Sequence, residues 1–127
     1  MSTENFLALN PAQSVRRIAF DKARVVGGFV TGTYFLVVSG ETACVNMDVR
    51  LSPLIYVTCP DYWGIEVVGS LRGGSCIIGI VPTPFTVVIP LAGVTGSKGI
   101  EVLGANRNET FEVSGGCCAD GPWEARC

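Results

Sequence analysis

The chain has 127 residues, 48% of them hydrophobic and only 16% charged, and it contains no histidine. Nine Lys and Arg against 11 Asp and Glu leave a formal net charge of −2, which argues against a nucleic-acid partner, whose phosphates call for a cationic excess. The apolar content excludes disorder for most of the chain, the length suits one domain, and the lack of imidazole removes the Ser-His-Asp triad, the Cys-His pair and any His-ligated zinc site.

Residues 1–10 carry no secretory signal. Glu4 comes early, no basic stretch precedes the apolar run, and Phe6-Leu7-Ala8-Leu9 is too short. On this reading the chain is cytoplasmic, with a secreted form as the alternative. The longest uncharged stretch runs over 73–97 and has the length of a membrane helix. Pro82, Pro84 and Pro90 interrupt it and would break a helix repeatedly. No membrane span is expected.

The 16 glycines and 7 prolines are scattered so evenly that few helical windows survive. Short runs rich in Val, Ile, Phe and Tyr recur between turn residues. The pattern predicts strands over 14–20, 24–30, 33–39, 43–51, 54–58, 64–70, 75–81, 85–90, 99–103 and 109–113. Thr31-Gly32, Ser39-Gly40-Glu41, Arg72-Gly73-Gly74 and Asn106-Arg107-Asn108 supply turns. About eight to ten short strands at this spacing read as an all-β fold, an antiparallel β-sandwich of immunoglobulin-like or jelly-roll-like kind, with a closed barrel as the alternative. Residues 1–114 form the single sandwich domain, and 115–127 form a Gly/Cys-rich tail.

Alternation supports the strands. In Val45-Asn46-Met47-Asp48-Val49-Arg50-Leu51 apolar and polar residues alternate strictly, as on a strand with one wet face. Phe111 and Val113 around Glu112 repeat the pattern. Tyr34-Phe35-Leu36-Val37-Val38 and Phe85-Thr86-Val87-Val88-Ile89 are apolar on both faces and need cover from a loop or another subunit. A homo-oligomer is the expectation drawn from them. Trp63-Gly64-Ile65-Glu66-Val67-Val68-Gly69 also resembles Lys98-Gly99-Ile100-Glu101-Val102-Leu103-Gly104, an internal repeat compatible with a duplication.

The chemistry-bearing residues are few. Cys44, Cys59 and Cys76 fall singly near strands and read as small buried hydrophobes, with a Cys59–Cys76 disulfide as one alternative. Cys117, Cys118 and Cys127 are weak metal candidates, because the vicinal pair chelates poorly and no CxxC accompanies it. Glu66 and Glu101 could act as a general acid/base pair if they lay within about 10 Å; otherwise they are the wet face of two strands. Arg16-Arg17, Lys22 and Arg24 read as a solvated edge. Asn108-Glu109-Thr110 matches a glycosylation acceptor.

Thr58-Cys59-Pro60-Asp61-Tyr62-Trp63 is the most distinctive loop. Aromatic loops at a sandwich end bind small molecules, sugars or peptides with large contact area at low entropy cost, so Asp61, Tyr62 and Trp63 are the candidate ligand residues. The alternative has Trp63 in the core and Asp61 in a turn after Pro60. No cofactor is expected. The functional expectation is a non-enzymatic binding or assembly module; a small carboxylate enzyme and a structural subunit of a larger assembly are the rivals.

Overall fold

The computed structural model describes residues 15–114 and Gly116. Eight strands appear among them: β1 (Arg16–Arg17), β2 (Lys22–Gly27), β3 (Tyr34–Cys44), β4 (Met47–Pro53), β5 (Tyr62–Leu71), β6 (Ile78–Pro90), β7 (Gly99–Leu103) and β8 (Asn108–Glu112). They build two sheets that pack face to face as a β-sandwich, with no helix and no closed barrel among the described residues. One sheet has five strands, with β5 at its centre, and the other holds β2, β3 and β6 in that order.

In the five-stranded sheet β4 runs along one edge of β5, from Met47 opposite Leu71 to Pro53 opposite Ile65. On the other edge β5 meets two partners in succession. β7 takes its first half, Tyr62 to Glu66, and β1 takes Val68 and Gly69. β8 closes the far side against β7. All pairings are antiparallel except β5–β7, which is parallel. The two halves of the sequence repeat are therefore neighbours. Their register is displaced, so that Glu101 lies opposite Gly64 rather than Glu66.

Strand alternation sends Trp63, Ile65 and Val67 of β5 and Ile100 and Val102 of β7 inward, to meet Leu36 and Val38 of β3 in one buried cluster with Phe20, Leu51, Leu91 and Val113. Each such side chain contributes about 1.5–3 kcal/mol of transfer free energy when fully buried. Val25, Phe85, Val87 and Ile89 pack on this cluster from the three-stranded sheet.

Two features join the sheets. The chain crosses from β3 to β4 through Val45 and Asn46, and back from β5 to β6 through 72–77, where Val45 N–H bonds Ile77 O at 2.9 Å and Arg72 N–H bonds Asn46 O at 3.0 Å. Asn46 is buried at this crossing. Its amide donates to Arg72 O at 2.7 Å and Ser75 O at 2.6 Å, and its oxygen accepts from Ile77 N–H at 3.0 Å. Cys44 and Cys76 form a disulfide across the same place. Near the other chain crossing, the turn after β7 clamps the segment between β1 and β2. Asn106 bonds both Phe20 N–H and Phe20 O, and the Arg107 guanidinium lies 4.3 Å from the Phe20 ring centre.

Several expected elements change shape. The runs 75–81 and 85–90 merge into the single strand β6, which tolerates Pro82, Pro84 and Pro90 because among the described residues only one of its edges is paired, with β3. Ser39-Gly40-Glu41 is no turn: β3 passes straight through it, and Gly40 leaves room for the Phe85 ring, whose nearest atom would lie 2.9 Å from an added Cβ. Residues 54–58 form no strand. Leu54 and Tyr56 instead fold against Gly64. Among the described residues 15–20 only Arg16–Arg17 form a strand, and Ile18 N–H continues the pairing to Val67 O at 2.9 Å. The turns at Gly32 and at Gly73-Gly74 appear as expected, with φ of 87°, 82° and 83° that suit glycine.

The strands judged apolar on both faces do present two apolar faces. Leu36 and Val38 point inward and are fully buried, while Phe35 and Val37 point outward and remain partly exposed.

Candidate functional site

The loop before β5 is held by its neighbour, the loop before β7. Pro60 O accepts from Ser97 N–H at 3.0 Å, and Asp61 O accepts from Lys98 N–H at 2.8 Å. A Cβ on Gly96 would stand 2.5 Å from Asp61 O, so the two backbones meet only because that position is glycine. This close approach puts Ser97 and Lys98 beside Asp61. The Ser97 hydroxyl is 3.2 Å from Asp61 Oδ1, and Lys98 Nζ is 3.8 Å from Asp61 Oδ2.

Tyr62 opens β5 on the outer face. Register places it opposite Gly99 of β7, which in turn lies opposite Glu112 of β8. With no side chain on the strand between them, the Tyr62 phenol reaches across and donates a hydrogen bond to the Glu112 carboxylate. That hydrogen bond is the main cause of a phenol pKa raised above its ordinary 10.0; partial desolvation and the negative charges of Glu112 and Asp61 push the same way. The result is an exposed cluster of a phenol, a hydroxyl, two carboxylates and an ammonium at one end of the sandwich. Beside it lies a shallow depression of about 440 Å³ bordered by Tyr34, Ser97, Lys98, Glu112 and Ser114.

Of the three residues singled out from the sequence, Asp61 and Tyr62 join this cluster and Trp63 does not. Trp63 points into the core, 6% exposed, with its indole N–H donating to Leu54 O at 2.9 Å and its ring edge-on to Tyr56 at 5.1 Å. Ser97, Lys98 and Glu112 were not among the sequence candidates. Only the Phe111-Glu112-Val113 alternation signalled that Glu112 faces outward; its meeting with Tyr62 depends on strand order.

Glu66 and Glu101 lie on the same outer face of adjacent strands, staggered by two residues, so their Cα atoms are about 8 Å apart from sheet spacing. The Glu66 carboxylate is engaged by Arg17 Nε at 3.0 Å.

The described cysteines are not free buried thiols. Cys44 pairs with Cys76, which removes the Cys59–Cys76 alternative, and Cys59 is disulfide-bonded as well. Strand pairing decides this, since β3 and the segment before β6 bring Cys44 and Cys76 to a Cα separation of 5.2 Å. The metal candidates Cys117, Cys118 and Cys127 lie outside the described residues, and among the described residues no group of three His, Cys, Asp or Glu could hold a metal ion. No described helix is long and apolar enough to cross a membrane.

No family model, curated protein or solved structure matches this chain.

Proposed function

We propose that the chain is a non-enzymatic binding and assembly module that self-associates through the outer face of its three-stranded sheet. One observation carries the reading. That face carries three complete cross-strand rows: Val26, Phe35 and Pro90, then Arg24, Val37 and Val88, then the polar row Lys22, Ser39 and Thr86. In the first two rows five of six residues are apolar, and all six are at least partly exposed. A one-sided antiparallel sheet normally turns a polar face to water, and the outer face of the five-stranded sheet does so with Arg17, Asp48, Arg50, Glu66 and Glu101. The occupant that fits is a second copy of the same face, which removes both apolar rows from water at once.

Light scattering on the size-fractionated chain over a range of concentrations tests this. Self-association is expected, and Val37→Asp is expected to abolish it while leaving the circular dichroism spectrum unchanged. A wild-type monomer at every concentration overturns the reading. An open, growing polymer in place of a closed dimer favours the structural-subunit reading. That outcome would draw on the bulge between Thr42 and Cys44, where one residue of β3 faces four of β6 and Ile78, Ile80 and Val81 stand exposed.

A second reading rests on the Asp61, Tyr62 and Glu112 cluster. A phenol ring flanked by carboxylates and a hydroxyl suits a ligand rich in hydroxyl or amide groups, such as a sugar or a peptide. Saturation-transfer NMR against mono- and disaccharides and short peptides tests it. Binding that disappears in Tyr62→Ala supports the reading, and binding by none of these ligands overturns it.

A further inference from the structure

A second concavity lies at the opposite end of the molecule from Asp61 and Tyr62. Those residues precede and open β5, whereas Leu71 at its other end lines the groove, about 30 Å away along the strand. The groove has a volume of about 470 Å³, within the range of pockets that hold a small organic ligand. Its walls are Ile18, Met47 and Leu71 together with the Cys44–Cys76 disulfide. The strand crossing creates it. Where the chain leaves one sheet for the other the two layers part, and Met47 and Ile18 close over Gly69, where an added Cβ would stand 2.5 Å from Met47 Sδ.

The polar groups of the groove decide what it can take. The Thr42 hydroxyl is already used, accepting from Cys44 N–H at 3.1 Å and reaching Cys44 O at 3.4 Å. Among the described residues no lining residue is acidic, and Arg16 is the one charged residue that lines the groove. Neighbouring Arg17 is spent on Glu66, but among the described residues no carboxylate pairs with Arg16. An apolar groove with one unpaired guanidinium at its wall complements a molecule with an apolar body and a single anionic head, because the guanidinium fork binds a carboxylate through two parallel hydrogen bonds.

We propose that this groove is a binding site for a medium-sized amphipathic carboxylate, with the apolar part against Ile18, Met47, Leu71 and the disulfide and the carboxylate on Arg16. The site is independent of the self-association face and of the Asp61–Tyr62 cluster.

Isothermal titration of the full, disulfide-bonded chain with decanoate and with decanol, both below their aggregation limits, tests the proposal. Decanoate is expected to bind saturably at one per chain, and decanol about tenfold more weakly or less, since the charge-assisted contact is lost. Arg16→Gln is expected to reduce decanoate binding to the level of decanol. This side chain stands exposed on a two-residue strand, so the fold should be kept. Ala43→Phe, which narrows the groove from an exposed position, is expected to weaken both ligands. Absence of saturable decanoate binding, equal binding of acid and alcohol, or decanoate binding unchanged in Arg16→Gln each overturns the proposal.

Discussion

Tyr62 and Glu112 meet over Gly99, the phenol of one strand donating to the carboxylate of another two strands away. The bond favours the neutral phenol, so the folded-state pKa of Tyr62 lies above the unfolded value. The stabilisation it brings is fully present below the ordinary tyrosine pKa, near 10, and is lost as pH rises through the higher folded value. Ultraviolet titration at the tyrosinate band is expected to show one phenol ionising late. Glu112→Gln should bring that phenol back toward its ordinary range, and an unchanged titration curve in the variant would contradict the assignment.

Asn46 offers a sharper test of the sheet crossing. Its side chain satisfies two carbonyls and one amide at a buried position. Replacement by alanine strands those groups, and each unsatisfied buried group costs about 1–3 kcal/mol. Some will find water at the crossing, so Asn46→Ala should cost on the order of 3 kcal/mol in urea unfolding. A loss below about 1 kcal/mol would mean that the three bonds do not hold the crossing together.

The disulfide beside it acts on the unfolded chain. Cys44 and Cys76 are 32 residues apart, and closing a loop of that length removes denatured-state entropy worth about 3.5 kcal/mol in the chain-entropy model. The double variant Cys44→Ala, Cys76→Ala leaves the Cys59 disulfide intact and should lose up to about that amount in denaturant unfolding. Equal stability of the variant and the parent protein would show that the crossing is already held by Asn46 and the strand ladders alone.

Arg17 and Glu66 should behave differently. Both side chains are partly exposed, at 41% and 27%, and exposed ion pairs are typically worth under about 1 kcal/mol. Glu66→Gln is therefore expected to shift stability by less than about 0.5 kcal/mol, and added salt to shrink even that. A large loss would identify the pair as a main tie between β1 and β5.

Packing over Gly64 supplies a further check. An added Cβ there would come within 2.8 Å of Leu54 Cδ1 and 2.9 Å of the Tyr56 hydroxyl, which accepts from the Gly64 N–H. Gly64→Ala should therefore push the 54–57 segment off β5, at a cost of about 1–3 kcal/mol. Because Tyr56 also lies edge-on to Trp63, the tryptophan fluorescence should change in the folded protein. An unchanged spectrum and stability would show that the segment yields freely.

Much of the fold can be read from local pattern. Alternation in 47–51 and 109–112 and the apolar runs around Leu36, Ile65 and Ile100 mark strands, since a side chain's face depends only on its position along an extended backbone. The alternation fails at Val45 and Asn46, which turn between β3 and β4 with Val45 exposed and Asn46 buried. The same logic misses where one strand becomes two or two become one. Gly40 resembles a turn residue but serves to admit Phe85, and Pro82 and Pro84 resemble breaks but sit on an edge that needs no donor. The candidate site was legible only in part. Asp61 and Tyr62 stand out as an aromatic-acidic loop, but Ser97, Lys98 and Glu112 reach them from other strands.

The division follows from the range of the forces involved. Composition, missing histidine and period-two hydrophobicity are local properties, so they settle the all-β class, the turns at Gly32 and Gly73-Gly74, and the narrow range of available chemistry without reference to partners. Pairings between distant segments are a different matter. The parallel β5–β7 register, the Cys44–Cys76 bond, the engagement of Glu66 by Arg17 and the groove beside Arg16 all depend on which strand lies next to which. That choice is made by how the two apolar layers close over a shared core, a condition on the whole chain that no single segment carries.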